Sequence, residues 1–276
     1  MAASTRSKLS IPDGPKSDHK FFREAKKQLL EGDCLVLTDV PEDFALPLIE
    51  GLHSDPVLGS EFKYRFNYED EKLLAFMPTR LHDSIQHAIG DIIKDMFINN
   101  FISQNQWLRL SASAGTTFYE FVGEYAGTVK EPDFQVDVDE RLPAPGAPVY
   151  CPIWVNETGY SESRPSLDRD ITKWLVGTAY GVLLAIEAKF YKRQNSRVAG
   201  YVAFHTNNDT TINRKEIFPA PQNLADDRIA FTRQDLFGNS LPLGPGQTLG
   251  DIYSLDVSIF RRRADIGAQR MNLIPV

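Results

Sequence analysis

The chain has 276 residues, 42% of them hydrophobic and 24% charged, with a net charge of −7. That is enough apolar material for a sizeable core, and it excludes collagen-like and disordered chains; no apolar run is long enough to cross a bilayer as a helix. The acidic balance argues against a protein that coats nucleic acid non-specifically. It does not argue against a metal-dependent enzyme, whose metal-binding carboxylates are themselves negative until a cation arrives.

The opening stretch, MAASTRSKLSIPDGPKSDHK, is polar and has no apolar core of the kind a secretory signal needs. Residues 1–15 are expected to form a disordered arm. Cys34 and Cys151 lie far apart in apolar surroundings and make no CxxC, so both read as buried free thiols in a reducing compartment, cytoplasm or nucleus. The sequons at Asn156 and Asn208 read as chance matches.

Residues 18–31 predict a helix, with Asp18 as its cap, Phe21, Phe22, Ala25 and Leu29 on one face, and Gly32 at its end. CLVLTDV predicts a short buried strand, and PEDFALPLIEGL a helix with Pro41 at its start. FKYRFNY and LLAFMP predict strands paired across the polar EDEK turn. From Leu81 to Phe97, apolar residues recur at spacings of three and four, the clearest helix in the chain. QWLRLSA, TTFYEFVGEY, PDFQVDV and VYCPIWVNE then read as strands, with the turn-rich LPAPGAP before the last. A helix over 166–176 and a strand over Val182–Tyr191 follow. YVAFHT, TTINRKEIF, RIAFT and IYSLDVSIF read as further strands.

This order predicts an α/β fold: a mixed β-sheet core flanked by helices, with antiparallel strands and one crossover. No linker divides the chain. A single domain over 1–276 is expected, with a core at 81–191 and a β-rich C-terminal extension at 192–276.

Three segments carry candidate chemistry. Glu131-Pro132-Asp133 opens an apolar alternation, Glu157 closes the strand PIWVNE, and Asp168-Arg169-Asp170-Ile171-Thr172-Lys173 lies on the following helix. Carboxylates on two adjacent strands can converge on a hard divalent cation, with the Thr158 carbonyl as a further oxygen. Such an ion neutralises charge and activates water in phosphodiester hydrolysis, and a nearby ammonium assists. The bland alternative reads Pro-Asp as a turn, Glu157 as a strand end, and Lys173 as a solvated helix residue.

Taken in order, these segments resemble the PD-(D/E)xK restriction-endonuclease-like superfamily. Its usual lysine position, two after the second acid, is Gly159 here. EPDFQV, WVNETGYSES and the helix DRDITKWL are similar to the Uma2-like branch, in which the lysine comes from the helix. They are also similar to fungal proteins carrying PD, E-x-G-x-S-E-S and a K-W-L helix. The resemblance covers roughly 81–191. It implies a restriction-endonuclease-like core, Asp133, Glu157 and Lys173 as catalytic residues, and Mg²⁺ or Mn²⁺ on Asp133, Glu157 and Thr158. It also implies a nucleic-acid substrate, with DNA the expected form, and it leaves a homodimer open.

Glu187-Ala188-Lys189 is a literal E-x-K and a rival for the site, but the shorter separation from Asp133 favours Glu157. The glycine at 159 and the acidic charge favour a second reading, a catalytically inactive binding module on the same fold. Gly159-Tyr160-Ser161-Glu162-Ser163 resembles a nucleophile elbow without its last glycine, and Arg164-Pro165 interrupts the expected helix. Ser161 and Ser163 are expected to cap backbone or approach phosphate. The glycine-rich 244–250 lacks a G-K-[ST] ending and reads as a turn. The histidines (19, 53, 82, 87, 205) show no ligand spacing, and the basic runs near Lys26, Lys192 and Arg262 read first as solvated faces.

Overall fold

The computed structural model describes residues 19–32, 34–58, 63–67, 72–76, 79–114, 116–139, 146–148, 150–160, 164–207, 213–223 and 227–276. The expected arm at 1–15, the Asp18 cap, Ser161, Ser163 and Asn208 lie outside them. Contacts group the chain into two compact units, 1–78 with 127–131, and 79–126 with 132–276. No helix among the described residues is long and apolar enough to cross a membrane.

The elements run in chain order as α1 (His19–Gly32), β1 (Cys34–Leu37), α2 (Glu42–His53), β2 (Lys63–Asn67), β3 (Lys72–Phe76), α3 (Arg80–Ile98), α4 (Gln104–Trp107), β4 (Leu110–Ser113), β5 (Val129–Lys130), β6 (Phe134–Val138), β7 (Trp154–Gly159), α5 (Arg164–Val176), β8 (Leu184–Lys192), β9 (Arg197–Thr206), β10 (Asn213–Phe218), β11 (Arg228–Thr232), α6 (Arg233–Phe237), β12 (Ile252–Asp256), α7 (Ser258–Arg270) and β13 (Ile274–Pro275). In the first unit, β1, β3, β2 and β5 form a four-stranded antiparallel sheet. The stripe Phe21, Ala25 and Leu29 of α1 is buried with Leu35, Leu37, Leu52, Leu73 and Ala75, as its helical spacing predicts.

The second unit holds a mixed sheet in the order β10-β9-β8-β7-β6-β4, with β13 added in parallel to β9. Only β7 and β8 within the main path are parallel, and α5 makes the crossover between them. The two faces are covered differently. Ile85, Ala88, Ile89 and Ile92 of α3 pack with Val136, Trp154, Leu184, Ile186 and Ala188 on one face. Ile171 and Trp174 of α5 pack with Val155, Val182 and Ala185 on the other.

The segment after 192 continues this sheet through β9, β10 and β13 and returns α7 alongside α3. Three expected strands depart from the expectation, the first being QWLRLSA, where Gln106 and Trp107 close α4 and the strand begins at Leu110. IYSLDVSIF is a strand only to Asp256, whose side chain accepts a hydrogen bond from the Ser258 N–H (2.9 Å) as α7 begins. The alternation persists past the strand end because Val257 and Ile259 are buried too, so pattern alone does not mark the change. TTFYEFVGEY holds a short 3₁₀ turn, Gly123–Tyr125, and sets Phe118 and Phe121 against Trp174 (ring centroids 5.6 and 5.1 Å).

Two of the three arginines in the run Arg261–Arg263 are structural. Arg263 holds Asp91 of α3 through two bonds (2.6 and 2.7 Å), and Arg261 pairs with buried Asp227 and donates to the Glu216 carbonyl (2.6 Å). Gly267 lets α7 approach the start of α3: a Cβ there would stand 2.6 Å from the Arg80 carbonyl oxygen and 3.2 Å from Ser84 Cβ. Alanine normally gains about 1 kcal/mol over glycine inside a helix. Here the backbone contact outweighs that gain, so Gly267→Ala should lower unfolding free energy by about 1–3 kcal/mol in urea denaturation. A variant as stable as the parent would show that the helices part without cost.

Candidate active site

The candidate residues gather on the α5-covered face of the second unit's sheet. Side chains alternate along a strand, so Val155, Glu157 and Gly159 of β7 share that face. The parallel register sets Glu157 beside Glu187 and Gly159 beside Lys189. The antiparallel register of β9 adds Tyr201 opposite Lys189 and His205 opposite Ala185. Asp133 enters at the head of β6, where its N–H donates to the Asn156 carbonyl (3.0 Å).

Every ionisable group here except His205 is almost fully buried, at 2% exposure or less for Asp133, Glu157, Glu187 and Lys189. Buried charge requires hydrogen-bond partners, and each acid has them. Asp133 Oδ2 accepts from the Thr158 main-chain N–H (2.6 Å), tying the first acid to the residue after the second. Glu157 Oε1 accepts from Trp174 Nε1 of α5 (2.5 Å). Glu187 Oε1 accepts from the Tyr201 hydroxyl (2.5 Å), and its Oε2 lies 2.9 Å from His205 Nε2.

The helix α5 presents Leu167, Asp170, Ile171 and Trp174 as its buried stripe. Lys173 stands between them on the flank of that stripe, half-buried in the last turn. Asp168 is exposed and pairs with Arg164. The space over Gly159 is taken by a lysine from another strand. A Cβ built on Gly159 would meet Lys189 Cδ at 3.2 Å and Nζ at 3.4 Å, so the glycine leaves room for a side chain from β8. Lys189 Nζ donates to the Tyr160 carbonyl (3.2 Å), just past the end of β7.

Thus Asp133, Glu157 and the pair Glu187/Lys189, set against each other as rivals by separation in sequence, occupy one face. β8 is not a neighbour of β6, but it is the neighbour of β7. The roles of Tyr201, His205 and Trp174 were not visible in the sequence. Tyr201 and His205 share the period-two alternation of YVAFHT, a signal that puts them on one face but does not say what lies opposite. His82, by contrast, turns inward at the start of α3, where its Nδ1 lies 3.0 Å from Thr79 Oγ1.

Two acids side by side in a buried sheet repel unless one is compensated. Burial pushes the Glu187 carboxyl up. The hydrogen bonds from His205 and Tyr201, and the charges of His205 and Arg164, outweigh burial and hold it below its ordinary value of 4.5. Burial, and then the bond to Glu187, push the Tyr201 hydroxyl far up, so it stays a donor.

Asp133, Glu157 and the Thr158 carbonyl are hard oxygen donors. Among the described residues no group of three or more His, Cys, Asp or Glu side chains forms a metal cage. Two carboxylates with a carbonyl suit Mg²⁺, which keeps several waters and takes one or two protein carboxylates. They do not suit zinc, which takes nitrogen and sulfur in closed sites.

A carboxyl whose folded value is depressed stabilises the fold above its unfolded value, and that contribution is lost as pH falls through the folded one. Thermal stability should therefore drop as pH is lowered below about 4.5. In His205→Ala the Glu187 share of that drop should shrink, because its first lowering partner is gone. Melting curves of both proteins across the acid range check this; parallel pH profiles would remove His205 as the cause. No family model matches the chain, and no curated protein matches it either.

Proposed function

We propose that the second unit is a restriction-endonuclease-like core and that the protein is a divalent-metal-dependent phosphodiesterase acting on nucleic acid. The observation that carries this reading is Asp133 bonded to the main chain at Thr158, beside Glu157, on two antiparallel strands preceding a crossover helix and a parallel strand. The order α3, β4, β6, β7, α5, β8 supports the same reading, since it supplies a helix, three antiparallel strands, a helix and a strand parallel to the last.

Asp133, Glu157 and the Thr158 carbonyl would hold Mg²⁺ or Mn²⁺. When bound, such an ion lowers the pKa of an attacking water and neutralises a phosphate oxygen. The chain's own residues do the positioning. The Thr158 N–H and Trp174 Nε1 each fix one carboxylate oxygen. Lys189, rather than the Lys173 expected from the sequence, supplies the ammonium: it lies over Gly159, the place the motif reserves for its lysine. There it orients the attacking water and offsets charge on the phosphoryl group. Tyr201 and His205 occupy both oxygens of Glu187, so Glu187 is kept out of the metal-binding set.

Wild type should cut single-stranded or duplex DNA or RNA with Mn²⁺ and not with EDTA. Glu157→Gln, which can still accept from Trp174, should lose about 10²–10³-fold or more in rate, as should Lys189→Met, whereas Lys173→Met should stay near wild type. Cleavage unchanged in Glu157→Gln would remove the site. Loss in Lys173→Met alone would return the lysine role to α5. A folded protein that binds nucleic acid but cuts none would favour the inactive module.

A further inference from the structure

Resting on that reading, we infer that the β8–β9 hairpin is a phosphate-backbone arm that holds the nucleic-acid substrate on the face carrying Lys189. The hairpin starts where the site ends. β8 runs on past the end of β7, from Lys189, which is paired with Gly159, to Lys192, and the chain turns through Arg193, Gln194, Asn195 and Ser196 into Arg197. Four residues of extended chain from Lys189 to Arg193 span about 13 Å. That is about four base pairs along a duplex, at ~3.4 Å each.

The turn is held in shape. Arg193 N–H donates to the Arg197 carbonyl (2.7 Å), Asn195 and Ser196 take left-handed conformations (φ 56° and 54°), and Ile274 N–H of β13 donates to the Ser196 carbonyl (2.8 Å). Arg193, Gln194, Asn195 and Arg197, with Ile274, line an open depression. All four are exposed, and among the described residues neither arginine has a carboxylate partner. Other basic side chains singled out by the sequence are taken: Lys26 by Asp55, Arg261 by Asp227 and Arg263 by Asp91. An exposed pair of guanidiniums without carboxylates is the feature a polyanion requires.

The cations also connect to the site. On the Lys189 face, the Tyr191 ring has Lys189 Nζ 5.2 Å and Arg193 5.7 Å from its centroid. Tyr191 lies 6.1 Å from Tyr201, over which Arg214 of β10 stacks at 3.6 Å. This row of cations and rings leads from the reacting lysine to the sheet's end. Lys192 is not part of it, because strand alternation puts it on the opposite face.

The test is fluorescence anisotropy of a labelled DNA duplex in EDTA, across a salt series, for wild type, Arg193→Glu/Arg197→Glu and Lys94→Glu. Lys94 is exposed on α3, on the other side of the sheet. The double variant should bind about tenfold or more weakly at about 0.1 M salt, with a log–log salt slope shallower by about 1.8, while Lys94→Glu matches wild type. Equal binding by the double variant and wild type overturns the arm; cleavage by wild type in the Mn²⁺ assay would then leave the enzyme reading standing. Arm-dependent binding with no cleavage supports the arm and removes the nuclease. A wild type that binds no DNA at any salt overturns the arm outright.

Discussion

The second unit depends on the parallel pairing of β7 and β8. A parallel pair cannot be joined by a tight turn, so the chain must leave the sheet and return, and α5 is that crossover. The helix shields the strands on that face, which buries whatever the strands present there. Apolar residues account for most of it, in Val155, Ala185, Ile171 and Trp174. At the next positions along both strands, however, stand Glu157 and Glu187.

That burial dictates the polar structure around them. A carboxylate removed from water costs several kcal/mol unless donors meet it, and donors arrive from each surrounding element. Trp174 reaches from the helix, Tyr201 and His205 from β9, and the Thr158 N–H meets Asp133 from within β7 itself. The donors differ in kind. Glu187 has a donor or ion-pair partner at each oxygen, from two side chains of one strand, whereas the Glu157 and Asp133 bonds come from a tryptophan and a main-chain amide. Neighbouring acids of one chemical type thus acquire different environments, as sites that divide roles between carboxylates do.

At Gly159 a missing side chain on one strand makes room for a long one from its neighbour. Position 159 needs no side chain once Lys189, its register partner, lies across it. The same β8 then continues into the hairpin that carries the exposed Arg193 and Arg197. The arginines of α7 are of the same residue type, but Asp91, Asp227 and the Glu216 carbonyl take up Arg261 and Arg263. They hold a helix to the sheet.

Periodicity alone determined much of this protein. The 3.6-residue repeat of α3 and α1, the alternation of β6 and β9, and the helix-then-strand order after Glu157 are properties of local chain geometry, and the sequence carries them directly. Asp133 was legible as a candidate because it heads a patterned strand, and Glu157 because it follows the apolar run PIWV, although β7 runs on past it to Gly159. What the pattern could not supply was register and adjacency. Whether Glu187 lies beside Glu157, whether Lys189 or Lys173 reaches Gly159, and whether Arg193 or Arg263 stays free of a carboxylate all depend on pairings between segments distant in sequence. The end of β12 and start of α7 were hidden too, because Val257 and Ile259 are buried on either side of the change. Those choices belong to tertiary structure, where a one-residue slip would turn every side chain of a strand to its other face.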